Sequence, residues 1–227
     1  MDLNKHYNNL YIESIKKIAD NNYEIDKMID SANDNRFGLS LVLRPPSRIK
    51  ENISAFLNDI KQIEPGQYYY PESDMHITVL SIISCYDGFS LSNIDVPAYT
   101  KIITEVLSKT KSLAISVNGI TASPSCVMIR GFAENDSLND IRKKLREAFS
   151  GKTLENTIDK RYKLQTAHST VIRFRNPLLN AEGLVKKLEY YKNLDFGTFE
   201  VDSLELLFND WYLRKNKTKK IESFKIG

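Results

Sequence analysis

The chain has 227 residues, of which 41% are hydrophobic and 27% are charged, and its formal net charge is +3. These values fit one sizeable packed domain or two small ones, and they exclude wholesale disorder. The small positive charge does not by itself predict nucleic-acid binding. No stretch approaches the roughly 20 apolar residues of a membrane span. The first residues carry no basic-then-apolar signal pattern, so we expect a cytoplasmic protein that does not bind membranes.

Cysteine and histidine are scarce in this sequence. The two cysteines, Cys85 and Cys126, are too few for a disulfide framework, and neither has neighbours at zinc-ligand spacing. No cluster of Asp, Glu, His and Cys suits a metal. The sequence therefore predicts neither a metal site nor another cofactor. The three histidines, His6, His76 and His168, become the first candidates for chemistry.

The two ends of the chain lie outside the main pattern. Residues 1–35 are polar and rich in asparagine, with apolar residues at partly helical spacing. This pattern predicts an N-terminal helical extension of one or two helices packed on the outside, with a flexible extension as the alternative. The tail, residues 211–226, predicts two short strands around a Lys/Asn turn, with its lysines at a solvated tip.

The segment between them, residues 36–209, predicts two copies of one order of elements, strand–helix–strand–helix–strand. Matching elements of the two copies are 86 to 92 residues apart. The four helices are indicated by apolar stripes, and three of them by Pro97, Asp136 and Asn180 at their starts. The predicted strands contain residues 37–43, 76–83 and 113–117 in the first copy, and residues 126–130, 168–174 and 199–207 in the second.

Two of the three histidines share a motif. His76 and His168 each have a threonine two residues later, Thr78 and Thr170, and each precedes a β-branched apolar stretch. On a strand, residues i and i+2 share one face, so each motif presents an imidazole and a hydroxyl side by side. One copy would indicate little, because threonine is a common strand residue. Two copies at matching places predict two imidazoles facing each other across a cleft, whereas His6 has no such partner.

Two facing His-Thr pairs suit an in-line displacement at phosphorus. An imidazole titrates near pH 6.5, so one histidine can take a proton from the attacking group while the other gives one to the leaving oxygen. The threonine hydroxyls can hydrogen-bond the non-bridging phosphate oxygens. This chemistry requires no metal.

With its motifs His76-Ile77-Thr78 and His168-Ser169-Thr170 in a repeat, the chain resembles the 2H phosphoesterase superfamily, the RNA-ligase-like phosphodiesterases, over roughly residues 36–226. The resemblance implies an α+β fold: a pseudo-symmetric, two-lobed, duplicated unit with antiparallel sheets around a central cleft. The lobes are expected at approximately 36–120 and 121–227, interleaved.

The resemblance also implies function. Family members hydrolyse or join phosphodiesters such as RNA 2′,3′-cyclic phosphates and 2′–5′ linked oligonucleotides. The four motif residues carry over as catalytic residues His76, Thr78, His168 and Thr170, with His168 as the base and His76 as the acid. We expect a monomer that hydrolyses a 2′,3′-cyclic or 2′–5′ linked diester in a nucleotide or a short RNA-derived substrate.

Several residues near the motifs are secondary candidates. Tyr70 precedes the first motif and could stack on a nucleobase. By strand alternation, Phe174 is expected to share the face of His168 and line the cleft, and Arg173 to point away from it. Arg44 and Arg130 occupy matching places in the two copies and are interpreted either as phosphate ligands or as members of ion pairs.

Two other functions stay open at this point. The cleft could bind RNA or a nucleotide without turnover, as a non-catalytic module of the same fold. Alternatively, the fold could serve a carbohydrate or sugar-phosphate enzyme.

Overall fold

The structure is a computed structural model that describes residues 2–110 and 112–226. Its helices and strands alternate along most of the chain. The helices are α1 (Leu3–Ala19), α2 (Ser47–Ile63), α3 (Val96–Leu107), α4 (Ser137–Phe149) and α5 (Ala181–Tyr191), with short 3-10 helices at Leu91–Asn93 and Lys215–Lys217. The strands are β1 (Arg36–Leu43), β2 (Tyr68–Tyr69), β3 (Ile77–Asp87), β4 (Ala114–Ser123), β5 (Cys126–Ala133), β6 (Ala167–Arg173), β7 (Asp195–Glu200), β8 (Ser203–Asp210) and β9 (Lys219–Lys225).

The strands form two sheets in which every pairing is antiparallel. The first sheet has the order β3-β1-β8-β9 and the second the order β2-β6-β5-β4-β7. The motif strands β3 and β6 are in contact across the junction between the sheets. The predicted α+β fold with two lobes and antiparallel sheets is therefore confirmed.

The two sheets repeat one arrangement. Strands β3 and β1 of the first sheet correspond to β6 and β5 of the second, and the pair β8-β9 takes the place of the pair β4-β7. Each sheet therefore combines strands from both halves of the chain. The helices also pack against elements of the other half of the chain. Helix α2 of the first half packs near β7 and α5 of the second, whereas α4 of the second half packs near α3 and β3 of the first.

The prediction of a single closing strand over 199–207 is wrong. Those residues divide between β7 and β8, which belong to different sheets. The chain leaves the second sheet at Val201, whose N–H donates to the Leu113 carbonyl at 2.8 Å, and enters the first at Ser203. Apolar residues alternate on each side of the break, but the step from Val201 to Leu204 is three residues, which is only a weak sign of the change of sheet. In the tail, only β9 is a strand, and it pairs with β8.

Helix α1 packs on the second sheet beside β4. Its start is capped by Asp2, whose carboxylate accepts from the Lys5 N–H at 3.0 Å. Tyr7, Tyr11 and Ile18 lie on one buried stripe, as a helix packed by one face requires. The Tyr7 hydroxyl donates to a β5 carbonyl and accepts the N–H that begins β6, so this helix supports the second motif strand.

Across residues 2–110 and 112–226, no helix is both long and apolar enough to traverse a lipid bilayer.

Candidate active site

A cavity of about 220 Å³ lies where the two motif strands meet. All four motif residues line it: His76, Thr78, His168 and Thr170. The structure thus brings together two segments of the chain that lie about 90 residues apart in the sequence. Tyr70, the predicted base-stacking residue, also belongs to the lining.

His76 lies directly before β3 and is only 8% exposed. Its Nδ1 is 2.6 Å from the Asp74 carbonyl oxygen. Because a carbonyl can only accept, this contact places a proton on Nδ1 and leaves Nε2 as the atom that can exchange protons. The preceding segment is held in place by Arg44, whose Nη1 donates to the Ser73 carbonyl at 3.0 Å and the Met75 carbonyl at 3.3 Å.

His168 has a matching support on β6. Its Nδ1 is 2.8 Å from the Thr166 hydroxyl oxygen, two residues earlier in the chain. His76 likewise uses a group two residues earlier, Asp74. The supports differ in chemistry, because a hydroxyl can either donate or accept, so Thr166 does not fix the imidazole tautomer as a carbonyl does.

Burial in the cavity lowers the pKa of both His76 and His168 to about 4. The main cause is loss of hydration by the charged imidazolium. For His168, the neighbouring charge of His76 lowers the pKa further, as does the Arg142 guanidinium. At neutral pH, therefore, both imidazoles are neutral. The ordinary pKa near 6.5 that the sequence analysis assumed therefore does not apply to these two buried histidines.

The threonines of the motifs offer hydroxyls to a ligand. Thr78 and Thr170 both line the cavity. Within the described residues, neither side chain has a hydrogen-bond partner, and neither hydroxyl is fully buried. Both can donate to an anion without breaking an existing contact.

A buried arginine ties the two motif segments together. Arg142, on α4, is 1% exposed, and its Nη2 donates to the Thr78 carbonyl at 3.1 Å and the Thr166 carbonyl at 2.7 Å. Its Nε donates to the Val79 carbonyl at 2.8 Å. One rigid guanidinium thus contacts the backbone of both motifs. Arg142 was not among the sequence-based candidates, although an arginine within the apolar stripe of α4 (Leu138, Ile141, Leu145, Phe149) is a recognisable signal.

A β-bulge in β6 overturns the predicted directions of two side chains. Pairing with β5 shifts between Thr170 and Ile172, so Val171 is an extra residue that interrupts the alternation. Arg173 consequently lines the cavity, and Phe174 is fully buried and does not. The predictions that Arg173 points away and that Phe174 lines the cleft are therefore wrong. Two successive apolar residues after Thr170 were the only sign in the sequence.

Arg173 is oriented by two neighbours. Its Nε donates to the Tyr70 hydroxyl at 3.1 Å, and its Nη1 is 3.3 Å from an Asp26 carboxylate oxygen. In the described part of the chain, Nη2 has no hydrogen-bond partner and is not fully buried. This nitrogen is therefore available to an anion in the cavity.

The other candidates have structural contacts. Tyr70 is only 3% exposed, and its ring lies edge-on to Tyr68 at 5.1 Å, which leaves little of its face for a base. Arg44 forms an ion pair with Glu205 at 2.8 Å. Arg130 is buried and donates to the Asn118 carbonyl at 3.0 Å. Neither arginine belongs to the cavity lining.

His6, the third histidine, lies on α1 and is not part of the lining. Among residues 2–110 and 112–226, no group of three or more His, Cys, Asp or Glu side chains is arranged to hold a metal ion.

Comparison with solved structures shows the same fold in other proteins. TT0787 of Thermus thermophilus matches with a TM-score of 0.58 and 14% identity, over 83% of this chain and 97% of its own. Escherichia coli LigT, crystallised with 3′-AMP, matches with a TM-score of 0.57 and 10% identity, over 84% and 98%. A structure described as a phosphoesterase gives the same values as LigT. No protein-family profile matches the sequence, and no curated protein matches it.

At these low identities the likeness establishes the fold. One of these neighbours is described as a phosphoesterase, which agrees with the family resemblance carried by the two His-x-Thr motifs. The chain has the two-lobed LigT-like fold, with its paired motifs in the cavity between the sheets.

Proposed function

We propose that this protein is a metal-independent phosphodiesterase that hydrolyses a 2′,3′-cyclic phosphate of a nucleotide to a monoester. The observation that carries the proposal is the convergence of two imidazoles and two free hydroxyls in one cavity. The unpaired Nη2 of Arg173 adds a cation for the phosphate. LigT, which shares the fold, has been crystallised with 3′-AMP and with phosphate, which supports a nucleotide as the ligand class.

In the proposed reaction, a water molecule attacks the phosphorus atom and His168 accepts its proton. The bond between phosphorus and the leaving ribose oxygen breaks, and His76 gives a proton to that oxygen. His76 suits the acid role because the Asp74 carbonyl stabilises its imidazolium form. His168 suits the base role because its support, the Thr166 hydroxyl, can adapt to either protonation state.

Thr78, Thr170 and Arg173 are proposed to stabilise the charge that develops on the non-bridging oxygens. All three residues already line the cavity, so little reorganisation is needed at the moment of reaction. A bound phosphodiester also supplies the negative charge that raises a histidine pKa, so that His76 becomes protonated when substrate is present. Substrate binding and formation of the acid are therefore coupled.

The proposed substrate is short and the enzyme monomeric. The net charge of +3 is too small for the broad basic surface that a long RNA backbone needs. A cavity of about 220 Å³ has room for a phosphate group and the atoms next to it, which fits a short substrate.

A substrate panel tests this function. Nucleoside 2′,3′-cyclic phosphates and 2′–5′ linked dinucleotides are incubated with wild-type protein, with and without EDTA, and with the H76A/H168A variant. We expect EDTA-resistant turnover that falls by about 10⁴-fold or more in the variant. The control is His6→Ala, which removes a histidine outside the cavity and should retain full turnover.

Other outcomes identify the alternatives. Binding of a nucleoside 3′-monophosphate without turnover of any diester would indicate a non-catalytic nucleotide-binding module. Conversion of sugar phosphates with no nucleotide binding would indicate a carbohydrate enzyme. Turnover that EDTA abolishes would contradict the metal-independent reaction.

A further inference from the structure

The only tryptophan of the chain, Trp211, lies on the wall of the same cavity. Two arginines lie over its ring: the Arg36 guanidinium carbon is 4.6 Å from the ring centroid, and that of Arg161 is 4.4 Å away. We call Trp211, Arg36 and Arg161 the tryptophan platform. The proposed reaction uses none of these three residues.

The two arginines of the platform are held very differently. Arg36 donates from Nε and Nη2 to the buried carboxylate of Asp34, at 2.7 and 2.8 Å. This two-point ion pair fixes Arg36 against the ring. Arg161 is exposed, and within residues 2–110 and 112–226 it has no ion pair or hydrogen bond. An exposed cation–π contact of this kind contributes only about 0.5–1 kcal/mol, so a ligand can displace it.

The turn that carries Trp211 is held by several hydrogen bonds. The buried Asp210 carboxylate accepts from the backbone N–H and the Nε of Arg214, at 2.8 and 2.7 Å. Leu213 adopts a left-handed conformation with φ of 53°, which the surrounding contacts must maintain. The next ring, Tyr212, donates its hydroxyl to Asp26 at 2.8 Å. Binding of a ligand on Trp211 therefore costs little entropy for ordering this part of the protein.

The cavity is too small to enclose a whole nucleotide, so part of the ligand must bind to a surface outside it. Pockets that enclose a whole small ligand measure ~300–1,000 Å³, and this one is about 220 Å³. If the phosphate lies between the motif residues, the rest of a nucleotide must extend along the wall. Beside Arg161 that wall also presents Tyr162, which is 65% exposed.

We infer that the tryptophan platform is the nucleobase subsite, where the base stacks on Trp211 in place of the Arg161 guanidinium. This inference rests on the proposed function, because it assumes a nucleotide whose phosphate occupies the motif cavity. Stacking recognises any base by its π-face, so the subsite distinguishes nucleotides from sugar phosphates more strongly than it distinguishes one base from another.

Intrinsic fluorescence tests the inference directly, because Trp211 is the sole tryptophan. A nucleoside 3′-monophosphate should quench the emission of wild-type protein in a saturable way. Inorganic phosphate and ribose 3-phosphate, which lack a base, should occupy the motif cavity with little quenching. Equal quenching by all three ligands, or none by the nucleotide when it demonstrably binds, would overturn the proposal.

Variants give a second measurement. Trp211→Leu should weaken nucleoside 3′-monophosphate binding about tenfold, towards the affinity of ribose 3-phosphate, and leave phosphate binding unchanged. Trp211→Phe keeps an aromatic face and should retain most of the affinity. The matched control is Tyr190→Leu, which removes a 78% exposed aromatic outside the cavity and should change nothing.

The results separate the two proposals. If wild-type protein hydrolyses cyclic nucleotides but Trp211→Leu binds and hydrolyses them as well as wild type, the subsite is wrong and the phosphodiesterase stands. If wild-type protein neither binds phosphate nor turns over any nucleotide, the proposed function itself fails.

Discussion

The low pKa of the two histidines predicts that anion binding takes up a proton. With a pKa of about 4, roughly one thousandth of either imidazole is protonated at pH 7, whereas an ordinary pKa of 6.5 would give about a quarter. An anion in the cavity favours the protonated form. When binding takes up one proton, each pH unit changes the free energy of binding by 1.36 kcal/mol. Lowering the pH from about 7 to 5 should therefore tighten binding about 100-fold.

Sulfate is the appropriate probe, because it stays a dianion over this range. Its dissociation constant is measured by calorimetry between about pH 5 and pH 7, in buffers of different ionisation enthalpy that report the number of protons taken up. Circular dichroism at each pH confirms that the protein is folded. Histidines with an ordinary pKa would give only about a fourfold change.

The matched control is the H76Q/H168Q variant, which keeps Arg173 in the cavity but has no imidazole to titrate. Its sulfate affinity should be nearly independent of pH. A wild-type change of about fourfold or less, or the same change in wild type and variant, would refute the reasoning from buried, neutral histidines.

Two further predictions concern stability and positioning. Because the folded-state pKa of His76 and of His168 lies below the unfolded value, their contribution to stability is complete above about pH 6.5 and is lost as the pH falls towards 4, by up to about 3 kcal/mol each. Denaturant unfolding should show this loss in wild type and not in H76Q/H168Q, and parallel losses would contradict it. Arg142→Gln removes the guanidinium that contacts both motif segments, including the Thr166 carbonyl, so turnover per folded molecule should fall about tenfold or more. Leu145→Ala, a buried change on the same helix, should lower the melting temperature without that loss, and full turnover in Arg142→Gln would count against a positioning role.

Much of the fold follows from local patterns in the sequence. Alternating apolar residues predicted the strands, and the 3.6-residue stripes predicted the helices, because each depends on neighbours along the chain. The spacing of His76 and His168 within the repeat also anticipated that both motifs line one cavity. The division of residues 199–207 between two sheets was not predictable in this way. It depends on pairing with strands far away in the sequence, β4 for β7 and β1 for β8, and the period of two is the same on both sides of the break.

The site outside the motifs was decided by tertiary structure. A single bulge at Val171 exchanged the directions of Arg173 and Phe174, because one inserted residue reverses every later side chain.

The sequence by itself determined the pair of imidazoles and hydroxyls, because strand geometry links residues two apart. Only the tertiary structure decided what surrounds them, since those contacts join distant parts of the chain: Arg142 with Thr78, and Trp211 with Arg36. Burial by these distant segments also set the low pKa of the histidines, because the hydration of a group depends on everything that packs around it.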